Sequence, residues 1–182
     1  WMNENSKIIT GKKFYHVGLV EILEEPLWLA FTNSGICASE FKNMTSLKDF
    51  KKQLKEKTGN SFLRVNSLPK DIKEGINQWK AGSWPSKLKF EISSYSPFQQ
   101  KVWKSCSRIP FGETTTYSEV ARDVNNPKAQ RAVGSALGAN PIPLIIPCHR
   151  VVRNDRRVGS YAYGSHLKEL LLERENYAKV LY

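Results

Sequence analysis

From residue 12 to residue 23, Phe14, His16, Gly18, Val20 and Ile22 alternate with positions that face the other way, the two-residue period of a strand. Two further apolar runs, Leu27 to Thr32 and Gly35 to Ser39, are joined through Asn33-Ser34-Gly35, where the glycine supplies the turn of a hairpin. A small antiparallel meander is expected. The period then lengthens: Thr45 or Ser46 caps a helix in which Leu47, Phe50 and Leu54 form the inward stripe and Lys48, Lys51, Lys52 and Lys55 a solvated face, ending near Gly59. A short helix over 70–79 follows, Ala81-Gly82-Ser83-Trp84-Pro85-Ser86 breaks it, and Leu88 to Ile92 alternates as a strand.

Ser93-Ser94-Tyr95-Ser96-Pro97 is polar and ends in an N-cap serine followed by a helix-starting proline, so the chain divides there into residues 1–95 and 96–182. The second part is mostly helical. Its first helix runs from Pro97 to about residue 108 with Phe98, Val102, Trp103 and Cys106 inward, and Phe111-Gly112-Glu113 turns the chain. Thr116 caps a short helix from Tyr117 to Val124, and Asn125-Asn126-Pro127 turns into another from Lys128 to Ala139. Two helices joined so tightly form a helix-turn-helix. Beyond them, Gly159 to Gly164 is a glycine-bounded aromatic loop, and Ser165 caps a last helix that buries Leu167, Leu170 and Leu171. The fold class expected is α/β in the α+β arrangement: an antiparallel sheet with a helix, then a helical part.

The helix from Lys128 to Ala139 has an unusual face. Plotted at about 100° per residue, Ala129, Ala132, Val133, Ala136 and Leu137 fall on one arc, leaving Gln130, Arg131, Gly134, Ser135 and Gly138 on the other. An ordinary exposed face carries lysine and glutamate. Here it is nearly bare, and each glycine costs about 1 kcal/mol of helix propensity. Either something bulky approaches this face, or it packs tightly on the other half of the protein, which would bury Arg131 without an evident partner. A minor groove about 6 Å across calls for so slim a helix, with Arg131 the one long side chain placed to enter the base stack.

Charge adds to this picture. The formal net charge is +11, and Arg64 is the only arginine before residue 97, whereas Arg108, Arg122, Arg131, Arg150, Arg153, Arg156, Arg157 and Arg174 all follow it. Forked guanidinium donors suit phosphate, so nucleic acid is the leading partner. The chain holds 182 residues, 40% of them hydrophobic, enough for one domain or two small ones. No apolar run approaches the ~18 residues of a membrane span, and no secretory signal is read at the start, where Met2 is taken as the natural first residue and Trp1 as an addition. Three cysteines, none in a CxxC pair, argue against a disulfide framework or a structural zinc site and fit a reducing compartment.

Chemistry concentrates in Pro141-Ile142-Pro143-Leu144-Ile145-Ile146-Pro147-Cys148-His149-Arg150-Val151-Val152. A central buried strand would have neither the prolines nor the charge. Three prolines are expected to hold this backbone extended and stiff, delivering the Cys148 thiol beside an imidazole and a guanidinium, and cationic neighbours favour the nucleophilic thiolate. Cys37 and Cys106 are set among apolar neighbours and read as core residues. On a regular strand Cys148 and His149 would face opposite ways, so a bridging water is one route for the proton. Glu175 lies one turn beyond Leu171 at the edge of the last helix's apolar stripe, where an inward carboxylate needs a partner; His149 would make a Cys, His, Glu relay.

These residues together resemble the O6-alkylguanine-DNA alkyltransferases: Pro147-Cys148-His149-Arg150-Val151-Val152, the preceding Asn140-Pro141-Ile142-Pro143, the Arg131-Ala132-Val133-Gly134 helix, and Phe111-Gly112 with Tyr117. The match runs from about Ser96 to Glu175, and the N-terminal part is similar to that family's RNase-H-like domain. The resemblance implies direct repair of O6-alkylguanine, with O4-alkylthymine a second substrate, by one irreversible transfer of the alkyl group to Cys148. The damaged nucleotide would be flipped out through the minor groove, Arg131 filling its place, with Gln130, Gly134, Ser135, Tyr117 and Arg150 also on the DNA. His149, through a water held with Glu175, would be the base, Tyr117 would donate to the guanine ring, and Asn140 would brace the turn before Cys148. Val151, Tyr161, Ala162 and Tyr163 would line the substrate pocket.

The resemblance calls for no cofactor and no membrane, and the zinc-binding cysteines and histidines of some members are not evident here. It implies a monomer acting in the nucleus of a eukaryote or otherwise in the cytoplasm. Two departures stand out: Ala162 and Tyr163 replace the usual serine and glycine, adding a ring near the pocket mouth that bears on bulky adducts, and Ser135 replaces a second helix glycine. Two other functions remain open. A lesion-binding protein on the same helix-turn-helix would lack the reactive cysteine; a cysteine hydrolase using Cys148 and His149 would turn over many substrates and ignore DNA.

Overall fold

The computed structural model describes residues 15–22, 24–81 and 88–175. Three strands follow one another as expected, β1 (Tyr15–Ile22), β2 (Glu25–Thr32) and β3 (Gly35–Phe41), paired antiparallel. The outer parts of the expected first strand, residues 12–14 and 23, and the break at residues 82–86 lie outside the described residues. After helix α1 (Leu47–Thr58) the chain adds β4 (Phe62–Arg64), a strand too short to leave a periodic signal, which pairs parallel to β1. The sheet order is β3-β2-β1-β4, so the expected antiparallel sheet has one parallel edge. Helix α2 (Lys70–Lys80) follows.

The caps obey local chemistry. Ser46 accepts from the Asp49 amide at the start of α1, which ends on Gly59 in the left-handed region. Leu88 to Ile92, expected as a strand, pairs with the sheet through one isolated bridge, Phe90 to Ile36, at the edge of β3. That contact is why Gly35 must be glycine: its φ is +137° and a Cβ there would lie 2.3 Å from the Lys89 carbonyl oxygen.

The second part opens with α3 (Pro97–Cys106), whose Ser96 and Gln99 form a capping box behind Pro97. Strand β5 (Thr115–Thr116) leads into α4 (Tyr117–Asp123), capped by a second box of Thr116 and Glu119. Asn125 turns the chain with φ +58° into α5 (Gln130–Gly138). Cys148–Arg150 forms one 3₁₀ turn, β6 (Val151–Val152) pairs parallel with β5, and α6 (Ser165–Arg174) closes the described chain. Ser165 is the first residue of α6 and makes no cap hydrogen bond; Gly164, at φ +93°, takes the cap position. Among the described residues no helix is long and apolar enough to cross a membrane.

Both faces of the sheet are buried, which explains why β2 is apolar at every inner position. Trp28 and Ala30 point with Val17 to one face, where Phe50 and Leu54 of α1 cover them. Leu27, Leu29 and Phe31 point to the other, into a core shared with Val102, Trp103, Cys106, Leu137 and Ile146. One continuous core therefore runs across the turn at Ser93 to Ser96. Trp103 lies at its centre, fully buried, donating from Nε1 to the Ala136 carbonyl at 2.8 Å and so tying α3 to α5.

The sheet also holds the proline-rich stretch directly. The Ser39 amide donates to the Pro141 carbonyl at 2.8 Å, and the buried Ser39 hydroxyl donates to the Pro143 carbonyl at 3.0 Å. Replacing Ser39 with alanine leaves the Pro143 oxygen without its donor in a dry setting. The expected loss is about 1–3 kcal/mol of unfolding free energy with the urea m-value unchanged; a variant as stable as the wild type would show that this link bears no load.

Candidate active site

The sequence reading that three prolines hold Pro141 to Pro147 extended is corrected by the structure. Proline limits only its own φ, and the run instead closes into a tight turn, with the Ile146 amide donating to the Ile142 carbonyl at 2.9 Å and Leu144 fully buried at φ +68°. Asn140 fastens this turn. Its Oδ1 accepts from the Ile142 amide at 2.9 Å, while its Nδ2 donates to the Ile146 carbonyl at 2.8 Å and to Cys148 Sγ at 3.2 Å.

The turn delivers Cys148 into the 3₁₀ segment rather than onto a strand. With about three residues per turn, successive side chains there diverge by about a third of a circle. Cys148 accordingly lines a cleft, whereas His149 and Arg150 go inward, 0% and 2% exposed. Both reach one carboxylate. His149 Nε2 lies 2.8 Å from Glu175 Oε1, Arg150 Nε donates to Oε2 at 2.8 Å and Nη2 to Oε1 at 2.9 Å, and the Gly112 amide approaches Oε2 at 3.4 Å. Arg150 also donates to the Ile109 carbonyl at 2.7 Å and stacks over the Phe111 ring.

This hub sets the protonation states. Burial alone would raise the Glu175 pKa, but hydrogen bonds and charge from His149 and Arg150 outweigh it and bring it down to about 2. An ionised carboxylate only accepts, so His149 carries its proton on Nε2. Nδ1, buried and without a hydrogen-bond partner among the described residues, presents a lone pair. Burial lowers the imidazole pKa against the opposing pull of Glu175, which keeps the ring neutral and able to take a proton.

Burial raises the Cys148 thiol above its ordinary range; the Asn140 hydrogen bond, the Lys168 charge and the Tyr161 hydroxyl pull it back in part. Arg150, expected to be the cation favouring thiolate, is spent on Glu175, and the charge that acts on the sulfur is Lys168. The sequence pattern does not reveal that lysine, because a lysine on a helix defaults to solvent. It is 1% exposed, donates from Nζ to the Val151 carbonyl at 2.7 Å, sits 5.9 Å from the centre of the Tyr117 ring, and burial lowers its pKa to about 8.

The cleft above Cys148 has a volume of about 1390 Å³. It is lined by Gln130, Arg131 and Gly134 of α5, by Tyr117, Tyr161 and Ala162, and by Arg153, Asn154, Asp155 and Arg157 of the turn after β6. The bare face of α5 is not bare for internal packing: a Cβ on Gly138 would meet nothing within 4 Å, and one on Gly134 would make only ordinary contact with Tyr117 at 3.8 Å. Arg131 and Ser135 are exposed on it.

Several expected positions shift. Ala132, assigned to the core side of α5, is exposed, because the helix starts at Gln130 and its buried stripe narrows to Val133, Ala136 and Leu137. Arg150, expected on the DNA, is sealed inside by its pairing with Glu175. Val151 is fully buried and does not line the cleft. Tyr163, expected at the pocket mouth, turns the other way: its ring lies edge-on to Phe41 of β3 at 4.7 Å, and burial and the neighbouring Glu40 raise its pKa. In α6, Leu171 and Leu172 are fully buried while Leu167 and Leu170 are half-buried. Among the described residues no group of three or more His, Cys, Asp or Glu side chains could hold a metal ion.

Residues 97–177 match the family model described as 6-O-methylguanine DNA methyltransferase, DNA binding domain. A methylated-DNA–protein-cysteine methyltransferase of Methanosarcina mazei is 36% identical over 166 residues, covering 89% of this chain and 96% of that protein. The bifunctional transcriptional activator/DNA repair enzyme Ada of Escherichia coli is 36% identical over 181 residues, 92% of this chain and 49% of that one. The chain spans about half the length of several curated relatives, including 53% of a mimivirus protein 56% identical over 80 residues. A crystal structure of Mycobacterium tuberculosis OGT in complex with DNA superposes with a TM-score of 0.69 at 30% identity, covering 88% of this chain and 92% of that chain.

Glu175 also makes stability depend on pH. A carboxyl group with a folded pKa near 2 against an ordinary 4.5 contributes stability that is complete above about pH 4.5 and lost as pH falls toward 2. Glu175→Gln should cost about 3 kcal/mol at pH 7, since Arg150 is left buried without its counter-charge, and should flatten the acid limb. Urea titrations at pH 7 and pH 3.5 check this; parallel losses in the two proteins on acidification would refute the assignment.

Proposed function

Because the chain belongs to the 6-O-methylguanine DNA methyltransferase family, we propose that it repairs O6-alkylguanine in DNA by moving the alkyl group once, irreversibly, onto Cys148. The observation that carries this reading is a cysteine at the floor of a cleft, beneath a slim helix bearing one long cationic side chain and beside a buried imidazole whose other nitrogen is held by a carboxylate. In this reading α5 enters the minor groove, with Arg131 filling the gap left by an extruded nucleotide, and the protein acts as a monomer. Gln130, Gly134 and Ser135 lie along the same approach.

The chemistry asks for a thiol at rest and a thiolate at the moment of attack. Burial keeps Cys148 protonated in the free protein. As substrate enters, His149 Nδ1 takes the thiol proton through a water, and the ionised Glu175 stabilises the imidazolium. The sulfur then attacks the alkyl carbon: the S–C bond forms, the C–O6 bond breaks, and its electron pair passes to guanine. Tyr117, whose pKa is raised chiefly by burial, keeps its hydroxyl proton and donates to the ring as negative charge develops; the guanine anion finally takes up, through water, the proton that the thiol passed to His149. The Tyr161 hydroxyl, beside the sulfur, favours the thiolate, and Ala162 offers a main-chain donor to the pocket.

A thioether has no route back to thiol in this site, so each molecule acts once. Cys148 in place, lining the cleft, weighs against a protein that only binds lesions. The buried, once-used sulfur likewise weighs against a hydrolase.

Incubation with duplex containing O6-methylguanine should add one methyl group to the peptide bearing Cys148, with no gain in Cys148→Ala. An unchanged intact mass for the wild type would overturn the proposal. Arg131→Ala should slow repair in duplex by at least about tenfold while reaction with the free base changes far less, as expected for a residue that pays part of the flipping energy. Equal losses on both substrates would remove the wedge role.

A further inference from the structure

The turn Arg153-Asn154-Asp155-Arg156-Arg157 has no part in the chemistry above, yet Arg153, Asn154, Asp155 and Arg157 line the same cleft as α5. Its backbone is closed by the Arg153 amide on the Arg157 carbonyl at 3.0 Å and the Arg156 amide on the Arg153 carbonyl at 2.9 Å, with Arg156 at φ +64°. The Arg153 stem is fixed over Gly159, where a Cβ would come within 3.0 Å of its Cγ. Arg156 points away, 3.7 Å from Glu119.

Asp155 sits between the other two arginines. Its Oδ1 accepts from the Arg157 amide at 3.1 Å and lies 3.6 Å from Arg153 Nε; its Oδ2 lies 3.8 Å from Arg157 Nε. These ion pairs are long and solvent-exposed, and such pairs add little stability, so the fold does not require them. What the arrangement does is hold two forked cations around a single carboxylate at the rim of a cleft whose floor is Cys148.

We propose that this turn is the phosphate-binding wall of the cleft, in which Arg153 and Arg157 take the phosphates flanking the incoming nucleotide and Asp155 occupies their place until DNA arrives. The proposal rests on the reading that DNA lies along α5. A nucleotide reaching Cys148 from that side must leave its two flanking phosphates at the rim, between α5 and this turn. Guanidinium groups match phosphate oxygens in pairs, better than they match one shared carboxylate at these distances. Asp155 then sets affinity: it orients the two side chains in the free protein and repels phosphate, holding down binding to all DNA. Phosphate contacts carry no information about the base, so the effect must be the same for damaged and undamaged duplex.

The test measures affinity of the full chain for duplex with and without O6-methylguanine across a salt series, by fluorescence anisotropy. Arg153→Gln and Arg157→Gln should each weaken both duplexes by the same factor and make the slope of log affinity against log salt shallower by about one. Asp155→Asn keeps the oxygen that accepts from the Arg157 amide but removes the charge, and should tighten both duplexes severalfold. Melting temperatures confirm that the variants fold. Wild-type slopes in both arginine variants, or an Asp155→Asn protein that melts normally and binds no tighter, would overturn the proposal. Uptake of methyl by wild-type Cys148 on the same duplex separates the two readings: uptake with unchanged slopes removes only the phosphate wall, whereas a wild type that neither binds nor is methylated removes both.

Discussion

Glu175 is one carboxylate with three elements hanging on it. It stands at the end of α6 and accepts from the 3₁₀ turn through His149 and Arg150 and from the loop after α3 through the Gly112 amide. Taking two ions out of water costs several kcal/mol each before their attraction is counted, and only saturated hydrogen bonding offsets that. Here both carboxylate oxygens are filled, and the guanidinium spends its remaining reach on the Ile109 carbonyl. A salt bridge so placed is a weak contributor to net stability and a strong contributor to position. It fixes which way the imidazole faces and which nitrogen holds the proton, and a base is useful only when both are settled.

Position comes at the expense of reactivity. The burial that lets Glu175 hold His149 also pushes the Cys148 thiol up, away from the ionised form that the proposed attack requires. Proximity to a cation would remove the difficulty, but Arg150 is neutralised. Lys168 is the compromise: buried, its ammonium bonded to the Val151 carbonyl, it acts on the sulfur through space without pairing to it. A buried sulfur held as thiol resists oxidation and metal capture, both of which go through the thiolate. Ionisation is thereby tied to the arrival of something that completes the cleft.

The sequence discloses the site in proportion to how local its interactions are. Ser96 with Gln99 and Thr116 with Glu119 satisfy helix ends within one turn, and both caps are readable from spacing alone. The pairing of His149 with Glu175 is also legible, since an inward carboxylate at the edge of an apolar stripe must find a partner. What fails is any residue whose usual surface habit is overridden by a partner that no pattern announces. Arg150 reads as a surface cation until Glu175 is known to bind it, and Lys168 reads as solvent-facing until the Val151 carbonyl is placed above it. Tyr163 reads as part of the pocket until Phe41, far away in the chain, draws its ring to β3. The three-residue β4 leaves no periodic trace because its register is set entirely by β1.

The N-terminal sheet has a similar hidden reason for being where it is. Each proline in Asn140 to Pro147 removes a backbone donor while keeping its carbonyl, so this stretch carries more acceptors than it can satisfy itself. Buried acceptors without donors would open the turn, and with it the placement of Cys148. The missing donors come from a side chain of the stretch itself, Asn140 Nδ2 for the Ile146 carbonyl, and from β3, the Ser39 amide and hydroxyl for those of Pro141 and Pro143. A second tie runs from Phe41 on the same strand to Tyr163 in the loop over the cleft. The sheet thus does for the backbone of the site what Glu175 does for its side chains, and a fragment beginning at residue 96 would keep every residue of the relay while losing the donors that hold its turn closed.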